Sequence, residues 1–331
     1  MSMFGVRPSE EPLWSVLNRG LGRAGIDILD ILGRCNFPPS KGENGASAQY
    51  YDCAVSGGQD SLSLVILAKL RGLAPRALHV DHGIREGSSS EGLLLKEMLL
   101  PFDIPVFCYK IKVEEGPNLE ERAREMRRRV LPEGVATGHT LDDQAETMMI
   151  NLLRGAGLKG LSAMEPSYQK PLLGLRRFQT GAVCEAIGIE PIIDPSNQDP
   201  RFLRNRVRHE LLPLMAEIAN RDVSSIIVRQ SRLFRSEDAY LASTAKSLSR
   251  LKPADLKSQD IVLLRRYIRQ EIERICNLRL DQATTERVLS VIVGENRSAN
   301  LPGGFIFRRR QKRFEILNER GILVSTIGDA E

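Results

Sequence analysis

Ser56-Gly57-Gly58-Gln59-Asp60-Ser61 is the stretch on which the reading of this chain turns. It follows the short run Cys53-Ala54-Val55 and opens an apolar stretch from Leu62 to Leu70. That context predicts strand, tight glycine turn, helix. Two adjacent glycines let the backbone approach an anion closely, and the free N–H groups of a helix start point at it. With Ser56, Asp60 and Ser61 around them, the turn has the makings of a phosphate cradle. No Lys stands in it, which separates it from the Gly-x-x-x-x-Gly-Lys-Ser/Thr loop that holds β and γ phosphates for γ-transfer.

Outward from the cradle the pattern alternates. Strands are expected at Asp52–Ser56, Arg76–His82, Val106–Ile111 and Val135–Gly138, and helices at Asp60–Arg71, Ser90–Leu100, Leu119–Val130 and Leu141–Leu153. Asn118 with Glu121 has the spacing of a capping box. Alternating strands and helices imply a parallel sheet covered on both faces, an α/β fold whose ligands sit at the carboxyl ends of the strands. Residues 1–48 read as an N-terminal extension, with helix-like apolar spacing at Leu13, Leu17, Leu21 and Ile28. After the turn-rich connector Pro191–Pro200 the alternation fades. Residues 207–250 and 260–293 read as helical, and Phe305–Val324 as two short strands around a basic run. The expected division is therefore an extension at 1–48, a catalytic domain at 49–215 and a basic, mainly helical domain at 216–331.

The 331 residues suffice for two cores. No apolar run reaches membrane-spanning length and the N-terminus lacks a secretory pattern, so a cytoplasmic, non-membrane protein is expected. Cys35, Cys53, Cys108, Cys184 and Cys276 are scattered, with no zinc or redox spacing, as suits reduced thiols. The net charge of +5 hides an asymmetry: residues 201–331 hold 25 Lys and Arg against 16 Asp and Glu, and residues 1–200 hold 22 against 26. A basic second half beside a mildly acidic first half suits a large polyanion such as nucleic acid.

Four further stretches carry chemistry. His79-Val80-Asp81-His82-Gly83-Ile84-Arg85 ends the second strand. In Gly138-His139-Thr140-Leu141-Asp142-Asp143-Gln144-Ala145-Glu146-Thr147, Thr140 is placed to N-cap a helix with acids in its first turn. Asp143 and Glu146 share a helical face with Ile150 and Leu153, and acids on a core-facing stripe are expected to meet a cation or a cavity. Leu152-Leu153-Arg154-Gly155-Ala156-Gly157-Leu158-Lys159 reads as a helix end with trailing cations. Arg201, Arg204, Arg206 and Arg208 lie within eight residues and suit phosphate or an RNA backbone.

The hexapeptide resembles the Ser-Gly-Gly-x-Asp-Ser signature of the PP-loop ATP pyrophosphatases, which adenylate a substrate and release pyrophosphate. With His-Val-Asp-His-Gly-Ile-Arg, Gly-His-Thr-Leu-Asp-Asp-Gln-Ala-Glu-Thr, Leu-Arg-Gly-Ala-Gly and Arg-Asn-Arg-Val-Arg in order from Val55 to Pro213, the chain resembles the tRNA(Ile)-lysidine synthetase branch. Leu301-Pro302-Gly303-Gly304 echoes that family's C-terminal region, and the length resembles its shorter members. Asp52 departs from the usually apolar first strand, and the extension is longer than usual.

The resemblance implies a Rossmann-like PP-loop domain followed by a substrate-recognition domain. It implies an enzyme that uses ATP to join L-lysine to C2 of the wobble cytidine of a CAU-anticodon tRNA(Ile), through an adenylated cytidine. ATP binding then falls to Ser56, Gly57, Gly58, Gln59, Asp60, Ser61, Asp81, His82, Arg85 and Gly138. Asp60 would help hold Mg2+. Asp143 and Glu146 would bind lysine, and Asp60, Arg85, His139 and Asp143 are the catalytic candidates. Arg154, Lys159, Arg204, Arg206, Arg208, Arg308, Arg309 and Arg310 would meet tRNA or phosphate. The family often dimerises, which makes a homodimer a further implication. The rivals are a PP-loop tRNA thiolase, against which the missing paired cysteines argue, a small-molecule amide synthetase, and an RNA-binding protein with a relic cradle.

Overall fold

The computed structural model describes residues 12–39, 50–81, 88–111, 119–311 and 313–327. His82, Arg85, Asn118 and Lys312 lie outside the described residues, as does the side chain of Glu121. The chain divides into two compact units, residues 1–231 and 232–331.

The first unit is built on a parallel sheet of β1 (Tyr50–Ala54), β2 (Ala74–Asp81) and β3 (Val106–Lys110), in the order β1-β2-β3. The stretch read as a fourth strand, Val135–Gly138, narrows to a single parallel bridge between Ala136 and Cys53. Ala54 donates to the Ala136 carbonyl and Ala136 to that of Asp52, both at 2.8 Å, but the next amide, Thr137, turns to the Gln169 carbonyl. Even so, this bridge decides the topology. The chain builds outward from β1 to β3, then returns to the other side of β1. The crevice between β1 and Ala136 is therefore the switch point at which open α/β sheets bind ligands.

The unit's helices are α1 (Leu13–Arg23), α2 (Ile28–Arg34), α3 (Gln59–Leu70), α4 (Ser88–Leu99), α5 (Leu119–Val130), α6 (Leu141–Leu153), α7 (Leu158–Leu161), α8 (Arg177–Ala186), α9 (Leu203–Arg206) and α10 (Leu212–Ala219). Helix α3 has no polar face: Leu62, Leu64, Val65, Ile66, Leu67 and Ala68 are all fully buried. A helix apolar all round must be covered all round. The strands β1 and β2 cover one side and α8 another, with α1 packed in turn on α8. Leu17, Leu21, Ile28 and Ile31 of α1 and α2 join the same core as α3. The segment read as an extension thus completes the layer that holds α8 in place.

Asp52, unusual in a first strand, faces its register partner Arg76 on β2 and accepts from it at 2.6 and 2.8 Å. The Arg76 guanidinium also lies 4.5 Å from the Tyr50 ring centroid. The acid is therefore paired where the sheet edge meets water.

The division between the units falls within α11 (Val223–Lys246). The second unit adds α12 (Pro253–Leu256), α13 (Ile261–Cys276) and α14 (Gln282–Val293) to an antiparallel sheet of β4 (Ser298–Asn300), β5 (Ile306–Arg310), β6 (Arg313–Leu317) and β7 (Leu323–Ile327). The two strands read at Phe305–Val324 correspond to β5 and β6, which themselves take in most of the basic run, and β4 and β7 extend the sheet on either side. Phe307 alternates with Arg308 on β5 and stacks on Phe314, with ring centroids 5.5 Å apart. Arg308 and Arg313 both reach Glu315, whose side chain is buried between them.

Candidate active site

Three helix starts converge at the switch point. Helix α3 begins at the cradle after β1, α6 begins just after the Ala136 bridge, and α8 is drawn in beside both. Gly57 sits at φ +88°, and its carbonyl accepts from the Ile192 amide at 2.9 Å. A side chain there would be strained and would stand 2.6 Å from the Ile192 Cδ1 atom. At Gly138 an added Cβ would lie 2.6 Å from the Asp60 carbonyl oxygen. Glycine at this position is what lets the second loop close on the first turn of α3. Ser61 Oγ accepts from the Ser56 amide at 3.2 Å and donates to the Gly58 carbonyl at 2.9 Å, which sets the shape of the cradle. Ser61 and Leu62 donate to the Gly58 carbonyl, and the Gln59 and Asp60 amides before them have no carbonyl of their own helix to meet, so these two remain available to an anion.

Helix α6 is capped as its sequence suggests. The Asp143 amide donates to Thr140 Oγ1 at 3.4 Å, and Asp143 Oδ2 takes the Thr140 amide and hydroxyl, each at 2.8 Å. One carboxylate oxygen of Asp143 therefore serves the cap and the other faces the site. Asp142 does a different job. Its two oxygens take the Arg176 Nε at 3.0 Å and the Arg177 amide at 2.6 Å, which ties the start of α8 to the start of α6. Gln59 ties α8 to α3, donating to the Arg177 carbonyl at 2.7 Å.

Arg177 is the residue that this framing aims, and the sequence did not single it out. Its Nε reaches Asp60 at 3.2 Å, its Nη2 reaches Asp143 at 2.9 Å and its Nη1 reaches Glu146 at 3.2 Å. One guanidinium thus joins the cradle's acid to the two acids of α6. Thr180, one turn further along α8, donates to the other oxygen of Asp60 at 2.5 Å. The only local signal was an Arg-Arg pair after the apolar run Leu172–Leu175, and α8 itself was not expected. Its Thr180, Gly181 and Val183 are poor helix formers, and packing against α3 makes it a helix.

Arg204 and Arg208, read as phosphate or tRNA contacts, sit on the same acids. Arg204 donates to Glu146 and Asp143, each at 2.8 Å. Arg208 donates to Glu146 at 2.6 and 3.0 Å. Arg208 lies on a one-turn π-helix, Val207–Leu211, that continues α9, and such turns often mark functional sites. Glu146 is 1% exposed and Asp143 6%.

The electrostatics follow from this packing. Burial alone would raise the Asp143 carboxyl, but Arg177 and Arg204, with the Thr140 amide, outweigh it and hold it below the ordinary range. For Asp60 burial wins over the Thr180 hydroxyl and Arg177, with nearby Asp143 adding to the upward push, so its carboxyl is raised. Arg177 and Arg204 are driven above their ordinary value, the acids outweighing burial.

The remaining candidates are more dispersed. His139 accompanies the site, with Nδ1 2.8 Å from the Thr137 hydroxyl. Asp81 is buried at the mouth of β2. Arg206 is paired outward with Glu210. Arg154 and Lys159 lie past the far end of α6, about 16 Å along its axis from Asp143 in the case of Arg154. Arg308, Arg309 and Arg310 belong to the second unit.

The chain is similar to known proteins over much of its length. A PP-loop domain model matches residues 41–215, more than half of the chain. A tRNA(Ile)-lysidine synthase of Rhodococcus erythropolis is 38% identical over 204 residues, covering 59% of this chain and 63% of the relative. One from Cutibacterium acnes is 31% identical over 278 residues, covering 77% of this chain and 87% of the relative. A solved U34-tRNA thiolase of Methanococcus maripaludis, with its 4Fe-4S cluster, matches at a TM-score of 0.44 and 19% identity over 67% of this chain and 78% of its own.

Proposed function

The chain belongs to the tRNA(Ile)-lysidine synthase family of PP-loop proteins, and from that premise we propose that it uses ATP to join L-lysine to C2 of the wobble cytidine in a CAU-anticodon tRNA(Ile). The cytidine O2 attacks the α-phosphate of ATP, and pyrophosphate leaves. The lysine ε-amine then attacks C2, and AMP leaves. The observation that carries this reading is the continuous path from Asp60 through Arg177 to Asp143 and Glu146. It puts a nucleotide cradle and a buried acid pair in one crevice.

Charge grows on the departing pyrophosphate in the first step. The Gln59 and Asp60 N–H groups of the turn, fixed before the reaction, are suited to hold it, since the Ser56 and Ser61 amides are already bonded within the turn. Asp60 has the chemistry to hold a magnesium ion, which would shield the phosphates. Among the described residues no cluster of three or more His, Cys, Asp or Glu is built for a metal. Phosphate oxygens and water would complete its shell, as is common for magnesium. In the second step the lysine ammonium must be held and lose a proton. Asp143 and Glu146 would hold it, and a carboxylate would accept the proton. His139 and Arg85 would steady the α-phosphate or the polarised cytidine.

Catalysis would rest in residues 49–215 and tRNA recognition in residues 216–331, where Arg309 and Arg310 are exposed at the end of β5. Among the described residues no helix is long and apolar enough to cross a membrane, and work on tRNA suits the cytoplasm. The test is incubation with ATP, labelled lysine and CAU-anticodon tRNA(Ile), followed by the mass of the modified nucleoside. Lysine incorporation with stoichiometric AMP is expected. Sulfur incorporation instead, or tRNA binding without any transfer, would sink the proposal.

A further inference from the structure

The acid pair proposed to seat lysine is already full. Asp143 Oδ2 is taken by Thr140, and Oδ1 by Arg177 and Arg204. Glu146 Oε1 receives Arg177 and Arg208, and Oε2 receives Arg204 and Arg208. Each of the four oxygens thus accepts at least two donors. An ammonium brings three more donors and a further charge. Three carboxylates, of Asp60, Asp143 and Glu146, face three guanidinium groups, so the cluster is formally neutral as it stands. Adding lysine without removing a cation would leave an uncompensated positive charge in a largely buried site, which is costly.

We propose that a guanidinium holds the lysine seat in the nucleotide-free protein and gives it up when the phosphates of ATP draw it away, so that lysine binds well only after ATP. The proposal rests on the lysine-ligase reading above. Arg204 is the arginine that yields. Its side chain is 38% exposed, against 26% for Arg177 and 22% for Arg208. It stands on the four-residue α9 directly after the turn-rich connector. Arg177, by contrast, is held by its backbone to Asp142 and by its side chain to Asp60. Arg208 makes three bonds to the acids, against two from Arg204, and lies one turn further from the connector. The departure of Arg204 frees one acceptor position on each acid, at Glu146 Oε2 and Asp143 Oδ1, for an ammonium to take. The exchange conserves charge: one cation moves to phosphate and another takes its place.

Coupling of this kind is reciprocal, so lysine must tighten ATP by the same factor. The test is calorimetric titration of lysine into the full chain, without tRNA, in the presence and absence of magnesium and α,β-methylene-ATP, which cannot release pyrophosphate. Lysine is expected to bind at least about tenfold tighter with the nucleotide, a coupling of about 1.4 kcal/mol. In Arg204→Met the nucleotide-free protein should bind lysine more tightly than the wild type, and the nucleotide effect should shrink to about threefold or less. Equal lysine affinity with and without nucleotide in the wild type overturns the proposal, as does an undiminished nucleotide effect in Arg204→Met. Absence of lysine binding in both states overturns it too. The transfer assay separates the two failures: if lysine still reaches tRNA, the exchange alone is wrong; if it does not, the ligase reading has failed.

Discussion

Glu146→Ala tests the acid pair most directly. The carboxylate is almost completely buried and is contacted by three arginines. A hydrogen bond between charged partners contributes about 1.5–3 kcal/mol. If one such bond holds the lysine ammonium, its loss should raise the KM for lysine about 10- to 150-fold. The affinity for ATP should stay within about threefold, because Asp60 and the cradle are untouched. Stability should also fall. Removing one partner from a fully buried pair costs about 3–5 kcal/mol, but Arg204 is near enough to solvent to turn outward and Arg177 and Arg208 keep their bonds to Asp143. A cost of about 2 kcal/mol is therefore expected, or roughly 4–8 °C in Tm for a unit of this size. The assay is steady-state transfer of labelled lysine to tRNA at varied lysine and saturating ATP, with nucleotide affinity and melting measured on the same preparation. Glu146→Gln, which keeps the shape, should lose lysine affinity with a smaller loss in Tm. A lysine KM within twofold of wild type would refute the role of the acid. An equal loss for lysine and ATP would show that Glu146 serves the nucleotide.

Other outcomes are equally checkable. Gly138→Ala should weaken ATP binding at least about tenfold and cost about 1–3 kcal/mol, since the new methyl meets Asp60 backbone rather than a mobile side chain; unchanged nucleotide affinity would separate this loop from the cradle. Asp60→Asn should abolish pyrophosphate release yet leave Tm equal or higher, because a carboxyl raised by burial is less stable charged in the folded protein than unfolded; a marked drop in Tm would show that its bonds to Thr180 and Arg177 dominate. Asp143 has the opposite sign. Its lowered carboxyl contributes stability above the ordinary value of about 3.9 that is lost as pH falls through the depressed value. The Tm difference between wild type and Asp143→Asn should therefore narrow in acid melts below about pH 4, and a constant difference would exclude the ion pairs as its source. Binding of tRNA should weaken steeply as salt rises, since basic residues meeting phosphates release counterions; a flat response in filter binding would rule out the basic half as the contact.

Much of this protein could be read from local pattern. The Ser-Gly-Gly-Gln-Asp-Ser turn, the Thr140 cap and the boundaries of α5 and α6 follow from short-range rules, in which a few adjacent residues dictate backbone geometry. The placement of Asp143 and Glu146 on one inward face followed from helical period alone. What local pattern could not supply was the identity of their partners. Arg177 lies 31 residues beyond Glu146 in sequence, on a helix of poor formers that exists because it packs on α3. Arg204 and Arg208 were legible as a basic cluster, but solvent-facing and acid-facing arginines look alike in sequence. Only the return of the chain beside β1, the closure of Gly138 onto α3 and the seating of α8 by Asp142 and Gln59 decided that these cations meet those acids. Backbone preferences act over a few residues and are written in them. The pairing of buried charges depends on which distant segments share a low-dielectric crevice, and that is settled when the core packs.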